Sequence, residues 1–333
     1  MPGSSPALRS NAQSFMSLDI DPRGERVAGA SIIGAVDIGG TKIAVGAVTD
    51  KGEILARSEC ATVPEQGSGP AMRRICGLLR EAAGSAGAGF RGIGVACPGP
   101  LNPFTGMVGD VGTLPGWQGL NLVAELEREF RVRVAVENDA DAAALAEAHW
   151  GAAKGSERFI YITVSTGIGG AIALSGALYR GAHGAHPELG HQVIDPGGPL
   201  CYCRAHGCWE SLASGPAMTA WMREQQPSAP ELTAAQICAL AGQGDPAALR
   251  CVEREGYYLG LGLANLITLF APGTIALGGG VMKSSHLFLH RALQVIQEIC
   301  TQVPDAKTQI TLASLGADTG LAGAAQAWLS RYQ

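Results

Sequence analysis

The sequence lacks long apolar runs and any excess of positive charge. No stretch approaches the roughly 20 uninterrupted apolar residues of a transmembrane helix, and the apolar segment 259–270 is interpreted as a buried helix. The net charge of −5 argues against a nucleic-acid-binding surface, which is usually basic. Residues 1–31 are polar and small without the apolar run of a signal peptide, and they are predicted to form a flexible tail.

The dense, even cysteine framework of a small secreted domain is also missing. The nine cysteines are an odd number spread over 333 residues, so we expect a reduced, cytoplasmic protein. An apolar fraction of 47% and this length suffice for two domains or for two lobes of one fold. Six cysteines are interpreted as scattered core thiols: Cys60, Cys76, Cys97, Cys238, Cys251 and Cys300.

Glycine is present in excess, and its clusters repeat. The 47 glycines are about twice the usual share. A strand, a glycine-rich turn and a second strand begin near Ile32, and the same pattern begins again near Arg158. Alternating strands and helices predict an α/β architecture. The internal repeat predicts two similar lobes facing a cleft, and a single doubly wound domain is the alternative.

The first glycine turn, DIGGTK, would direct several backbone N–H groups at one point and form an anion-binding nest. It is not a Walker A motif, because GxxxxGK[ST] is absent here. It is not a dinucleotide fingerprint either, because the turn leads into a strand and not into a helix. Asp37 stands where it can hold a hydrated Mg²⁺. One Gly-Gly turn is more often a plain hairpin, but two hairpins and a late LGGG favour a nucleotide held between lobes. The predicted nucleotide-binding residues are Asp37, Gly39, Gly40, Thr41, Lys42, Thr166, Gly167, Gly169, Gly170, Gly279 and Gly280.

The segment ENDAD, residues 137–141, follows an apolar strand and opens a helix. Asn138 and Asp139 therefore stand at a strand end, where they can point into a cleft. Helix capping is the alternative, because Asn and Asp are favoured N-cap residues. Three acids and an amide in five residues exceed what one cap needs, and Asp141 could supply that cap.

His191, Cys201, Cys203 and Cys208 form an H-x9-C-x-C-x4-C array. One imidazole and three thiolates suit a closed, tetrahedral Zn²⁺ site, which leaves no position for an activated water and so indicates a structural metal. A disulfide between Cys201 and Cys203 would be strained by their spacing, and buried free thiols are a further alternative. His183, His186 and His206 flank the array and could replace one of its ligands.

Five segments occur in the order found in the ROK family of sugar kinases, which the sequence resembles over about residues 32–331: VDIGGTKIAVGAV, ENDADAAALAE, STGIGGAI, HPELGH and CYCRAHGCWE. The resemblance implies the two-lobed actin-like ATPase fold, related to ribonuclease H. It implies a first lobe of residues 32–137 completed by the C-terminal helix 319–331, and a second lobe of residues 138–318 with a zinc loop at 186–210. It also implies that Asp139 is the catalytic base, that the array binds zinc, and that the sugar contacts Asn138, Asp139, Glu188, His191 and Glu210.

The expected function is ATP-dependent phosphorylation of a hexose, with glucose as the first candidate, at its 6-hydroxyl. Fructose, N-acetylmannosamine and N-acetylglucosamine are the alternative substrates, and a homodimer is a further expectation from the resemblance. ATP, a catalytic Mg²⁺ and a structural Zn²⁺ are the expected cofactors, with neither nucleic acid nor a membrane as partner. A sugar-sensing ROK transcriptional regulator is the alternative of another class. Such regulators carry a winged-helix domain before the first glycine turn, and the 31 residues before Ile32 are too few for that domain.

Overall fold

A computed structural model describes residues 31–228, 230–302 and 307–333. The predicted tail lies outside these described residues, apart from Ser31. The strands are β1 (Ile32–Ile38), β2 (Lys42–Thr49), β3 (Ile54–Ala61), β4 (Gly92–Cys97), β5 (Arg133–Asn138), β6 (Arg158–Val164), β7 (Ile168–Leu174), β8 (Ala177–Leu178), β9 (Thr274–Gly278) and β10 (Gln309–Leu312). The α-helices are α1 (Ser68–Ser85), α2 (Leu122–Phe130), α3 (Asp139–His149), α4 (Trp209–Leu212), α5 (Gly215–Gln225), α6 (Ala234–Gly242), α7 (Pro246–Phe270), α8 (Leu289–Ile299) and α9 (Thr319–Tyr332).

The strands form two separate five-stranded sheets that share one topology. The first sheet has the order β3-β2-β1-β4-β5, and the second has the order β8-β7-β6-β9-β10. In each sheet the leading strand pairs antiparallel with the next strand in the chain and parallel with the fourth. The predicted α/β class and internal repeat are confirmed, and the described strands do not form a single doubly wound sheet.

The first sheet is covered by helices on both faces. Its central strands β1 and β4 are almost wholly buried along their length, as is usual for parallel strands with helices on either side. Val36 and Ile38 pack with the apolar face of α1, whereas Ile33 and Ala35 pack with α9. The C-terminal helix therefore belongs to the core of the first sheet, although 180 residues of chain intervene between β5 and its start.

The chain crosses from the first sheet to the second through α3 and returns through α9. Glu147 of α3 is fully buried. Its carboxylate accepts hydrogen bonds from the backbone N–H groups of Ala152 (2.8 Å), Ser314 (3.1 Å) and Leu315 (3.0 Å). Ala152 lies on the outward crossing and the other two residues on the return, so one carboxylate ties both connections together.

Strand register brings the candidate acids to one edge of the first sheet. Asp37 of β1 is level with Ala96 of β4, which is level with Glu137 of β5. These three strands are parallel, so their carboxyl ends lie at the same edge. The ENDAD segment and Asp37 are therefore neighbours there, as α/β proteins commonly arrange their ligand sites.

Candidate active site

Asn138 joins the end of β5 to the first turn of α3. Its Oδ1 accepts hydrogen bonds from the N–H groups of Ala140 (2.8 Å) and Asp141 (3.4 Å), so Asn138 is the helix cap. The interpretation that Asp141 supplies this cap is wrong, because Asp141 already lies within the first turn. Capping uses only the carbonyl oxygen of Asn138, and its amide N–H groups keep their donor capacity for the predicted sugar contact.

Asp139 differs from the two acids beside it in having no cationic partner. Glu137 pairs with Arg180 at 2.8 Å and with Arg331 at 3.4 Å. Asp141 contacts Arg180 at 3.4 Å and His186 at 3.1 Å. Among the described residues, no Lys, Arg or His nitrogen lies within 4.0 Å of the Asp139 carboxylate. The three acids of ENDAD thus divide into two that anchor cations and one that does not.

The carboxyl groups of Asp37 and Asp139 repel each other. Burial first, and then the charge of Asp139, raise the pKa of Asp37 to about 6. Asp139 is accessible to solvent at this edge, yet the surrounding protein desolvates it and raises its pKa against the effect of a hydrogen bond from Ala140. A cation between these two acids would relieve their repulsion. Because Mg²⁺ prefers oxygen ligands, their carboxylates fit this ion.

The first glycine turn is closed by its own backbone. The N–H of Gly39 donates to the carbonyl of Lys42 at 2.9 Å, and Gly40 lies against Thr113 of the 109–119 loop. Thr41 is exposed. The Lys42 ammonium group pairs with Glu59 at 2.7 Å and is 59% exposed, so it lies on the surface in this structure. Its contact with phosphate stays a prediction, and it would require the Lys42–Glu59 pair to open.

The second glycine hairpin is shorter than predicted. Its turn ends at Gly167, because β7 begins at Ile168, so Gly169 and Gly170 lie in a strand and not in the turn. Gly170 has a packing reason to be glycine, since a Cβ there would lie 2.6 Å from the Tyr161 carbonyl oxygen. The sequence pattern could not separate a turn glycine from a strand glycine that permits close packing.

Glu210, predicted from the resemblance to contact sugar, also holds this hairpin. Its Oε2 accepts the N–H of Ile168 at 2.9 Å and fills the space that a side chain at Gly167 would need. The zinc loop and the second hairpin therefore meet at one carboxylate.

A cavity of about 640 Å³ opens beside the second hairpin. Thr166 and Gly280 line it, as expected for nucleotide-binding residues, whereas Gly279 (φ +95°) turns the backbone next to it. The start of α5 reaches the hairpin through the N–H of Gly215, which donates to the Ser165 carbonyl at 2.9 Å. Sequence reasoning missed the other polar walls, which come from separate elements without a motif: Thr219, Arg223, Glu231, Thr233, Lys283 and Ser284.

The four predicted metal ligands come together. The ligand atoms of His191, Cys201, Cys203 and Cys208 all lie within 4.8 Å of one another. His191 Nδ1 is 3.6 Å from Cys201 Sγ, and the Cys203 and Cys208 sulfur atoms are 3.4 Å apart. A disulfide would need about 2.05 Å, so Cys203 and Cys208 are not joined by one. One nitrogen and three sulfur donors at this spacing fit a tetrahedral Zn²⁺.

The second ring nitrogen of His191 already has a partner. Its Nε2 lies 2.9 Å from the hydroxyl of Tyr202, a side chain that is 79% exposed. A sugar contact by His191 stays a prediction, and it would displace this hydroxyl. The flanking histidines lie outside the ligand cluster: His186 contacts Asp141, and His206 Nδ1 lies 3.1 Å from the Gly198 carbonyl oxygen.

Throughout the described ranges, no helix is both long enough and apolar enough to cross a membrane. A family model described as the ROK family matches residues 33–331. A glucokinase of Thermotoga maritima is 31% identical over 302 residues, which are 87% of this chain and 95% of that protein.

Two solved structures resemble the fold over nearly the whole described chain. The ROK hexokinase from Thermus thermophilus has a TM-score of 0.81 and 36% identity, and the match covers 90% of this chain and 99% of that one. A ROK family glucokinase from Streptomyces griseus, in complex with glucose and AMPPNP, has a TM-score of 0.76 and 32% identity, covering 88% of this chain and 98% of that one.

Proposed function

Because this chain belongs to the ROK family, we propose that it is an ATP-dependent kinase that phosphorylates the 6-hydroxyl of a hexose, with glucose as the first candidate. Its two repeated sheets form the actin-like ATPase fold. One observation carries the proposal: Asp139 stands at the sheet edge without a cationic partner among the described residues, while Glu137 and Asp141 on either side are paired. A carboxylate in this state is able to accept a proton.

Asp139 acts as the general base. It accepts the proton of the 6-hydroxyl as that oxygen bonds to the γ-phosphorus, and the bond from this phosphorus to the β–γ bridging oxygen breaks to leave ADP. Its raised pKa makes Asp139 a better proton acceptor than an ordinary aspartate. Asn138, Glu188, His191 and Glu210 orient the sugar by hydrogen bonds to its hydroxyl groups.

The nucleotide is held from both lobes. Backbone N–H groups of Gly40 and Thr41 in the first turn, and of Thr166 and Gly167 in the second, bind the phosphates, because such turns form anion nests. The 640 Å³ cavity beside α5 receives the adenosine. Asp37 holds Mg²⁺, which when bound neutralises charge on the β- and γ-phosphates.

Zinc has a structural part in this proposal. Four protein donors fill a tetrahedral site, so no position remains for a reacting water. We also propose a cytoplasmic location, which the unbridged thiols of Cys201, Cys203 and Cys208 support. A homodimer stays a prediction that light scattering on the purified protein would test.

The test is ADP release, coupled to NADH oxidation, with glucose, mannose, fructose, N-acetylmannosamine and N-acetylglucosamine at equal concentrations. We expect glucose to give the highest kcat/KM. A panel in which no sugar raises turnover above the sugar-free rate would overturn the kinase proposal, and a preference for another hexose would overturn the choice of glucose alone.

A further inference from the structure

The two acids beside Asp139 bind cations that come from the segment leading to Glu188. Arg180 contacts Glu137 at 2.8 Å and Asp141 at 3.4 Å, and His186 contacts Asp141 at 3.1 Å. The two carboxylates are almost completely buried, with side-chain exposures of 4% and 2%. Ion pairs at the surface contribute little, but buried acids of this kind depend on their partners because neither can be hydrated.

The segment that carries these cations has little regular structure of its own. Between β8 and Glu188 it contains one short 3-10 turn, in which His183 adopts a left-handed conformation (φ +58°). The N–H of Gly181 donates to the carbonyl of Ala185 at 2.8 Å, so the loop is closed on itself. Among the described residues no backbone hydrogen bond joins this segment to α3, and the side chains of Arg180 and His186 make the contacts with Glu137 and Asp141.

Glu188 is therefore held from two sides. Two residues after it, Gly190 packs directly against the carbonyl of Ile168 in β7, where any side chain would collide. Two residues before it, His186 is fixed to the first turn of α3, the turn that begins with Asp139. The position of Glu188 relative to Asp139 thus depends on the His186–Asp141 contact.

A third cation extends the network to the other lobe. Arg331 of α9 contacts Glu137 at 3.4 Å and donates to the carbonyl of Pro103 at 2.7 Å. Phe104, next to it, lies under the Arg180 guanidinium group, 5.9 Å from the ring centre. Around the N-terminus of α3, Glu137 and Asp141 consequently connect three parts of the chain: the loop at 101–108, helix α9 and the segment between β8 and Glu188.

We propose that His186 and Arg180 are positioning residues for the hexose. By pairing with Asp141 and Glu137, they hold the segment between β8 and Glu188 against the start of α3. Glu188 and Asp139 then face the same sugar molecule. This inference rests on the proposed kinase function. It assigns the ion pairs of Glu137 and Asp141 to hexose binding. Nucleotide binding in the cavity and metal binding at the cysteine cluster do not depend on these pairs.

The experiment is a double-mutant cycle of His186→Ala and Asp141→Asn, with steady-state KM values for glucose and for ATP. We expect His186→Ala to raise the hexose KM about tenfold or more, because small misplacements of binding groups have effects of this order. The ATP KM should change less than twofold, and the zinc content should equal that of the wild type. In the Asp141→Asn background, His186→Ala should add little, since the pair is already broken.

Two further variants complete the test. His186→Gln keeps an N–H donor for Asp141 and should recover part of the hexose affinity; it is also the variant to measure if His186→Ala fails to fold. His183→Asn is the matched control in the same loop, because His183 is exposed and asparagine tolerates its left-handed backbone. It should leave both KM values unchanged.

An unchanged hexose KM in His186→Ala, or equal increases in the KM values for hexose and ATP, would overturn the inference while the wild type still phosphorylates hexose. Additive effects in the double variant would overturn it as well. A wild-type protein that phosphorylates no hexose would overturn the proposed function, and this inference with it.

Discussion

Glu255 offers a measurable consequence of burying an acid without a partner. It lies within α7, its side chain is completely buried, and neither carboxyl oxygen has a hydrogen-bond partner in the described structure. Burial raises the pKa of Glu255 from 4.5 to about 8, with the charge of Arg254 opposing the shift. The Arg254 guanidinium group is turned to the Leu212 carbonyl, to which it donates at 2.7 Å.

The sign of the effect follows from the two protonation states. Below pH 4.5 the carboxyl is protonated in the folded and the unfolded chain, so no stability is lost. Between pH 4.5 and about 8 the unfolded chain ionises while the folded chain stays neutral, so the free energy of unfolding falls as the pH rises. At pH 7, 2.5 pH units above the ordinary value, the loss is roughly 3 kcal/mol at about 1.4 kcal/mol per unit.

Glu255→Gln removes this ionisation with almost no change in shape. Urea unfolding followed by tryptophan fluorescence at pH 5, 6, 7 and 8 should show the variant gaining stability over the wild type as the pH rises, by up to roughly 3 kcal/mol between pH 5 and pH 8. Glu253→Gln is the matched control, because Glu253 is on the same helix with its side chain 57% exposed. Parallel pH profiles for Glu255→Gln and the wild type would refute the reasoning.

Three further predictions concern the site. Asp139→Asn should lower kcat by about 10² to 10⁴ in the ADP-release assay while calorimetry still detects hexose binding; retention of more than a tenth of normal turnover would contradict its role as base. Cys203→Ala should remove the predicted zinc, about one per chain by metal analysis, and raise the hexose KM; a zinc-free variant with a normal hexose KM would contradict a role of this metal in sugar binding. The kcat/KM profile should fall on its acid side near pH 6, where Asp37 takes up a proton, and activity unchanged down to pH 5 would contradict this.

Features set by neighbours in the chain could be predicted from the sequence. The side chain of Asn121 accepts the N–H of Ala124 at 2.9 Å and caps α2, as the preference of asparagine for the N-cap position predicts. The four predicted metal ligands span only 18 positions, and three of them are cysteines within eight residues, so their spacing alone indicates a cluster. The repeated hairpin likewise indicated two equivalent sheets, because strand periodicity and turn chemistry are local signals.

Contacts between distant parts of the chain could not be predicted in this way. Arg331 and Glu137 are 194 positions apart, and no motif marks Arg180 or Arg331 as partners of the acids in residues 137–141. The three acids of that segment did carry a signal, since buried carboxylates require partners. What the sequence could not supply was the identity of those partners, because Arg180 reaches Glu137 only after the two lobes have assembled.

Lys42 shows how a neighbouring strand affects a residue that a motif singles out. Its place after a glycine turn predicted a phosphate contact, but strand pairing of β2 with β3 brings Glu59 within 2.7 Å of its ammonium group. The position of a residue in a motif indicates what it can reach, whereas the neighbouring strand determines what it contacts when no ligand is bound.

Glu210 connects the predicted zinc site to the second glycine turn. It lies two residues after Cys208, a predicted zinc ligand, at the start of α4, where Trp209 is fully buried. Its carboxylate accepts the N–H of Ile168 at the end of the second glycine turn. Loss of zinc should therefore loosen this turn as well as the sugar contacts, and Cys203→Ala should raise the KM for ATP together with that for hexose. His186→Ala should raise the hexose KM alone, because His186 pairs with Asp141 and lies outside the cluster of metal ligands.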